Sequence, residues 1–331
     1  MRAPEFWKLP PNCPDWRATL LAPCGHLYKH LTARRLSRGN PEKLKIPVIC
    51  IGNINVGGVG KTPTVIWLAQ LMREKGHIPH VISKGYGGTT KSPIQVDAKK
   101  HNASDVGDEP LLIAAFSDVW VGVDRMLTAR TAQNAGATIL ILDDGHQDPH
   151  IFKDFSVIVI DSDYGFGNEK CLPAGPLREP ITTGLSRADA CIILGENTNT
   201  SLCAALGNLQ KFCAKLQPLE TGMNWSNVRV LAFAGIGNPL KFFSTLENLG
   251  ATVIHKEQLD DHQKLSSRLL TRLYKDAQAQ SAQLVTTEKD AVRLPVEFRS
   301  KVIALPVRLI IPDTEAFFKI LLNKIPALRI F

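Results

Sequence analysis

A short, wholly apolar segment, Pro47-Val48-Ile49-Cys50-Ile51, runs almost directly into the turn Asn55-Val56-Gly57-Gly58-Val59-Gly60-Lys61-Thr62, and a helical pattern follows near residues 61–75. A strand without polar alternation has to be covered on both faces, and such strands belong to parallel sheets flanked by helices. The glycine-rich turn lets successive backbone N–H groups, and the positive end of the helix, face a phosphate chain. This is the pattern of a P-loop. Lys61 is expected to reach the β- and γ-phosphates of a nucleoside triphosphate, and the Thr62 hydroxyl to hold magnesium. The usual pattern places glycine six residues before the lysine, where Asn55 stands; asparagine also accepts left-handed backbone angles.

The same alternation of strand and helix continues down the chain. Residues 138–142 form an apolar strand ending in Asp143-Asp144, and residues 157–160 form another ending at Asp161. Shorter strand-like runs lie at residues 81–82 and 119–121, with a helical stretch at 111–116. A second series begins near Val228, with a helix at 239–249 and strands near 252–254, 283–286 and 302–305. A polar stretch at 195–201 and a helix-like run to Lys215 precede it. The expected fold is therefore α/β: a P-loop NTPase-type parallel sheet domain over residues 46–220, a second, smaller α/β domain over 221–331, and an amino-terminal amphipathic helix within residues 1–45.

The charge is uneven. Residues 1–45 carry nine basic side chains (Arg2, Lys8, Arg17, Lys29, Arg34, Arg35, Arg38, Lys43, Lys45) against three acidic ones (Glu5, Asp15, Glu42), most of the chain's net charge of +8. Residues 16–36 read as helix, broken or restarted at Pro23. Leu20, Cys24, Leu27, Tyr28, Leu31 and Leu36 share one face, and Arg34 and Arg35 flank it. This pattern suits a helix lying on an anionic membrane surface; a helix packed on the domain with a solvated basic face shows the same periodicity. No stretch has the roughly 18 apolar residues a bilayer span requires, and Pro10, Pro11, Asp15 and Arg17 interrupt any secretory signal core. No nucleic-acid motif accompanies the basic segment, so no nucleic-acid partner is expected. The seven cysteines are scattered without a C-x-x-C pair, which points to a reducing, cytoplasmic compartment and away from zinc.

Six further segments carry chemistry. Asp143 and Asp144, at the end of a buried strand, stand where a Walker-B carboxylate holds magnesium, followed by Gly145-His146-Gln147-Asp148. Asp108, in Val106-Gly107-Asp108-Glu109-Pro110, either caps a helix or accepts the proton of an attacking hydroxyl. Arg178 sits in the rigid Pro/Gly loop 172–180, as a phosphate contact or an exposed turn residue. In the second domain are Ala234-Gly235-Ile236-Gly237-Asn238-Pro239, Asp260-Asp261-His262 and Thr286-Thr287-Glu288-Lys289-Asp290. A carboxylate beside His262 would orient its imidazole and raise its basicity.

In this order the segments closely resemble the tetraacyldisaccharide 4'-kinase family of lipid A biosynthesis, through nearly the whole chain, including Lys84-Gly85-Tyr86-Gly87-Gly88. The resemblance implies transfer of the ATP γ-phosphate to the 4'-hydroxyl of a tetraacylated glucosamine disaccharide 1-phosphate, at the cytoplasmic face of the inner membrane of a Gram-negative-type bacterium; no obligate protein partner is inferred. It implies Lys61 and Thr62 as nucleotide and magnesium ligands, Asp108 as base paired with His262, and Arg178 as a phosphate contact. Glu109, Asp144 and Gln147 would surround the metal, with Asp143 nearby. The family usually continues Asp-Asp-Gly-Phe-Gln-His; here His146 replaces the phenylalanine and Asp148 the histidine. An alternative reading is a membrane-associated ATPase switch of the MinD type. That class carries a signature lysine five residues before the P-loop lysine, where this chain has Val56.

Overall fold

The structure is a computed structural model that describes residues 3–13, 15–195 and 200–330, the last without its side chain. Arg2 of the basic segment and residues 196–199 of the polar stretch lie outside the described residues. In chain order the strands are β1 (Val48–Gly52), β2 (Pro79–Ser83), β3 (Ile94–Gln95), β4 (Asp118–Val121), β5 (Ile139–Asp143), β6 (Phe155–Asp161), β7 (Ala190–Leu194), β8 (Gln210–Pro218), β9 (Arg229–Ala234), β10 (Thr252–Gln258), β11 (Gln283–Thr287), β12 (Ile303–Leu305) and β13 (Val307–Ile310).

Nine of them form one sheet in the order β13-β8-β7-β6-β1-β5-β2-β4-β3. All neighbours run parallel except at the two edges, β13 against β8 and β3 against β4. Every residue of β1, β2, β5 and β7 is buried, in β1 and β5 as their continuous apolar runs require, and in β2 together with the polar His80 and Ser83. Ile49, Ile51, Ile139 and Ile141 point to the face covered by the helix Lys61–Glu74, while Val48, Cys50, Leu140 and Leu142 point to the other. Each such side chain taken from water contributes about 1.5–3 kcal/mol, so both faces are held shut. The sheet is doubly wound, as expected. After β1 the chain crosses to β2 and β4 on one side, returns with β5 between β2 and β1, and then lays β6 on the other side of β1. Ligands bind at the carboxyl ends of the strands at such a switch.

Four parallel strands, β10-β9-β11-β12, form the smaller sheet, with its own cores on either face. Two expectations change here. The helix-like run to Lys215 is helix only over Thr200–Leu206; it then becomes β8, where Phe212 and Ala214 are buried between exposed neighbours in the period of a strand. The chain also does not remain in the smaller domain to residue 331. Pro306, which has no N–H to donate, separates β12 in one sheet from β13 in the other. The helix Thr314–Lys324 then packs Phe317 and Leu321 into the core of the large sheet. Phe317 meets the rings of Trp67, Phe155 and Phe212 edge-on.

The amino-terminal segment forms two helices, Trp16–Leu20 and Ala22–Ser37, with Pro23 in the first turn of the second. Their inward contacts use small or polar residues: Ala18, Gly25 and Thr32 are buried, and a Cβ on Gly25 would stand 3.0 Å from the Cys171 carbonyl oxygen. The expected apolar face points outward. Trp16 is 73% exposed, Leu20 70%, Leu27 61% and Leu31 58%. All seven cysteines are free thiols, and burial pushes those of Cys50 and Cys191 up to about 11 and about 12.

Candidate active site

The P-loop leaves the end of β1. Gly60 precedes the helix at φ 91°, where a Cβ would stand 2.5 Å from Leu194, so both conformation and space demand glycine. Asn55 is not in the left-handed region. It is buried instead, and its amide donates to the Gly165 carbonyl at 2.8 Å. Its replacement of glycine is therefore a tether and not a backbone accommodation. The Val56 N–H donates to the Pro176 carbonyl at 2.8 Å, joining the P-loop to the loop that carries Arg178.

Because β1 and β5 are direct neighbours, Ile51 is in register with Asp143, and the two carboxylates emerge beside the P-loop. Asp144 is held at φ 51°, a conformation that costs a non-glycine residue about 1–3 kcal/mol. Arg178 Nη1 donates to both Asp144 oxygens at 2.8 and 2.9 Å, and Lys61 Nζ stands 3.9 Å from one of them. Burial favours the neutral acid at Asp144, but Lys61 and Arg178 outweigh it and hold the carboxyl below its ordinary range. Asp143 is the opposite case. Burial, then Glu109 and Asp144, push it up to about 7. Its Oδ2 accepts from the Ser83 hydroxyl at 3.1 Å, while its buried Oδ1 has no partner.

Beneath this pair lies a bracing network that the sequence reading did not contain. Arg125 Nη2 donates to the carbonyls of Asp143 and Asp144 at 2.7 and 2.8 Å, and its Nη1 stands 3.3 Å from Asp148 Oδ2. Asp148, one of the two family departures, is thus the partner of a buried arginine. His146, the other, is buried with Nε2 2.9 Å from the Gly184 carbonyl, and burial pushes its pKa down to about 4. The neutral ring therefore fills an apolar residue's place. Gln147 donates to the Asn53 carbonyl and to Glu179 at 2.8 and 3.0 Å, and its Oε1 lies 3.4 Å from Arg178.

The opposite wall belongs to both domains. Asp108 begins the helix Asp108–Ala114, but the N-cap position is Gly107, which makes no side-chain cap. Instead Asp108 Oδ1 accepts from the Glu109 N–H at 3.0 Å, and Oδ2 lies 2.8 Å from His262 Nδ1 of the smaller domain. His262 is held at φ 58°. Its Nε2 is 3.2 Å from Lys289 Nζ, which also reaches Glu109 at 3.2 Å. The bond to Asp108 raises the His262 pKa, against burial and Lys289. Burial would raise Asp108, but His262 and Lys289 bring it below its ordinary value. Arg293 Nε stands 3.6 Å from the same carboxylate. Lys289 lay in a segment singled out at a strand end, without a role; Arg293 had no signal in the sequence.

These groups share one cleft of about 1550 Å³ between the domains. Lys61, Thr62, Glu109, Asp143, Asp144, Gln147, Arg178 and His262 line it, whereas Asp108 stands behind the imidazole. The domains meet closely at its nucleotide end. A Cβ on Gly237 would come within 3.1 Å of the Gly58 nitrogen, and Lys241 pairs with Asp161 and Asp163 at 2.9 and 2.8 Å. Among the described residues no three carboxylate, histidine or cysteine groups converge as a ready metal cage. The oxygen-rich set and the unpartnered Asp143 Oδ1 nevertheless fit a magnesium ion that takes its remaining ligands from phosphates and water.

The LpxK family model, described as tetraacyldisaccharide-1-P 4'-kinase, matches residues 17–326. The tetraacyldisaccharide 4'-kinase of Dinoroseobacter shibae is 51% identical over 321 residues, which cover 96% of this chain and 95% of that protein. The enzyme of the same name from a Jannaschia species is 49% identical over 317 residues, covering 95% and 96%. A crystal structure of LpxK from Aquifex aeolicus in complex with ATP superposes with a TM-score of 0.73 at 24% identity, covering 93% of this chain and 99% of that one. At that identity the likeness speaks for the fold.

Proposed function

The chain belongs to the tetraacyldisaccharide-1-P 4'-kinase family, and from that premise we propose that it transfers the γ-phosphate of ATP to the 4'-hydroxyl of a tetraacylated glucosamine disaccharide 1-phosphate. The observation that carries the assignment to this site is the 2.8 Å contact between Asp108 and His262, which faces the P-loop's cleft from across the domain boundary. The switch-type alternative is not favoured: Val56 stands where its lysine would be, and a nucleotide switch has no use for the pair.

In this reading the P-loop amides and Lys61 hold the triphosphate. A magnesium ion would be held by Thr62, Asp143, Asp144 and Glu109, with Gln147 and Arg178 orienting the carboxylates, and would supply charge neutralisation at the phosphate oxygens. Asp143 and Asp144 crowd two carboxyl groups into a buried place, and a cation relieves that crowding. The acceptor hydroxyl meets the Asp108–His262 pair on its imidazole side. The proton it loses is taken up by the pair, where the buried Asp108 carboxylate balances the charge on the ring. A weak base suffices, because phosphoryl transfer passes through a loose transition state with the nucleophile's bond little formed. Arg178 is placed to move from Asp144 to a phosphate oxygen.

The exposed row of Trp16, Leu20, Leu27 and Leu31 supports a peripheral hold on the membrane that carries the acceptor, at the cytoplasmic face of the inner membrane of a Gram-negative-type bacterium. No helix among the described residues is long and apolar enough to cross a bilayer. The activity is tested by incubating the protein with magnesium, γ-labelled ATP and the disaccharide lipid in detergent micelles. The expected result is one labelled phosphate per acceptor, at the 4' position. Hydrolysis of ATP with no labelled lipid would count against the reading.

A further inference from the structure

Beyond the catalytic cleft, the helix Ala22–Ser37 ends at a second concavity of about 400 Å³, lined by Leu31, Arg34, Arg35, Arg38, Pro149 and His150. Its floor is fixed. The Gly39 backbone packs against Pro149, where a Cβ would stand 2.2 Å away, and the Glu42 N–H donates to the His150 carbonyl at 2.8 Å. Arg17, Arg130 and Arg178 each pair with a carboxylate, but Arg34, Arg35 and Arg38 have no acidic partner among the described residues. The carboxylates nearest in sequence are already taken: Glu42 pairs with Arg130 and Asp148 with Arg125.

The spacing along the helix says what such a groove suits. Cys24, Leu27, Leu31, Arg34 and the C-cap residue Arg38 of the helix Ala22–Ser37 follow one another at steps of three, four, three and four, so they fall on one stripe of its surface. The first three are exposed and apolar or thiol-bearing, and the last two carry guanidinium groups that have no acidic partner among the described residues. An apolar stripe that ends in a basic groove matches a phospholipid, whose tails lie along the leucines and whose phosphodiester lies among the arginines. Arg34 and Arg38 do not line the catalytic cleft, which stops at Arg35 and His150.

We propose that the Arg34–Arg35–Arg38–His150 groove binds the headgroup phosphate of an anionic phospholipid of the bilayer, distinct from the kinase's lipid acceptor. The proposal rests on the membrane reading of the helix and sharpens it from a general attraction to a site. It is tested by co-sedimentation with neutral phosphatidylcholine vesicles and with vesicles carrying 30% phosphatidylglycerol. The variants are Arg34→Gln/Arg38→Gln and a control of equal charge change, Lys29→Gln/Lys45→Gln. The full-length protein is expected to bind the anionic vesicles more tightly than the neutral ones. At about fivefold per arginine, the arginine variant should lose roughly 25-fold of its affinity for the anionic vesicles, keep its affinity for the neutral ones, and keep its turnover and acceptor KM in detergent micelles. The control should lose clearly less. Equal losses in the two variants would reduce the groove to diffuse attraction, and a raised acceptor KM in micelles would give the phosphate to the acceptor; either overturns the proposal. Equal binding of the unaltered protein to both vesicle types overturns it while leaving the membrane reading standing. Binding to neither overturns both.

Discussion

The two walls of the cleft are built in different ways. On the nucleotide side, the P-loop and the Asp143–Asp144 pair leave adjacent strands of one sheet, in register at Ile51 and Asp143. Arg125, Asn55 and the loop bearing Arg178 brace them from within the same domain. On the opposite wall, proposed to receive the acceptor, Asp108 comes from the large domain and His262 from the small one, 154 residues apart, and their contact joins the two domains. A site of the first kind is prefabricated. A site of the second kind would make the proposed catalysis depend on how two bodies meet, and the positive φ of His262 is part of that geometry.

The sharpest way to break this contrast is on the nucleotide side. Lys61→Ala should lower turnover on the order of 10³-fold, as expected for a lost phosphate-stabilising cation, and should weaken ATP binding as well. Preserved ATP affinity, read by calorimetry, would show that the wall does not work as described. The next largest effect tests docking. Gly237→Ala pushes a methyl against the Gly58 backbone, where 3.1 Å is available, and should cost about 10- to 100-fold in kcat/KM through misplacement. Its folding midpoint should stay close to that of the unaltered protein, because both domain cores are untouched.

The smallest effect is one of pH. The His262 pKa is raised above 6.5 by Asp108, and a ring that is to receive a proton must first be neutral. Activity should therefore be full above the raised pKa and fall about tenfold per pH unit below it, while Asp108, held below its ordinary 3.8, stays ionised throughout. The sign for docking is opposite. A group whose pKa is raised by a contact stabilises that contact below its free pKa and loses the benefit as pH rises through the raised value. A kcat/KM profile flat from pH 5 to pH 8 would remove His262 from proton transfer.

How much of this could be read beforehand follows the same division. The P-loop, the apolar strands and the Asp143–Asp144 pair were legible because each is a local pattern of buried strand, turn and helix. The Asp108–His262 pair was not legible from spacing. Its two members came together only through resemblance to a family, since nothing local links residues 154 positions apart. The end of the chain misled for a related reason: residues 307–310 look like any short strand, and only pairing with β8 reveals which sheet they join. β8 itself reads as helix in the sequence because its period-two pattern is short and mixed with lysines. In the sequence Asn55 looks like a left-handed glycine substitute, whereas a partner 110 residues away fixes it instead. Arg125 is one more arginine at the start of a helix until the fold turns it toward Asp143, Asp144 and Asp148.

The measurement that bears most directly on the central claim is a double-mutant cycle on Asp108→Ala and His262→Ala, read as lipid phosphorylation in single-turnover conditions with ATP affinity measured alongside. If the two residues act as one proton-accepting unit, each single change should cost about 10²- to 10⁴-fold, the pair should cost little more than the worse single change, and ATP affinity should stay within a few-fold. Multiplied losses in the double variant, or an intact rate in either single variant, would contradict the account.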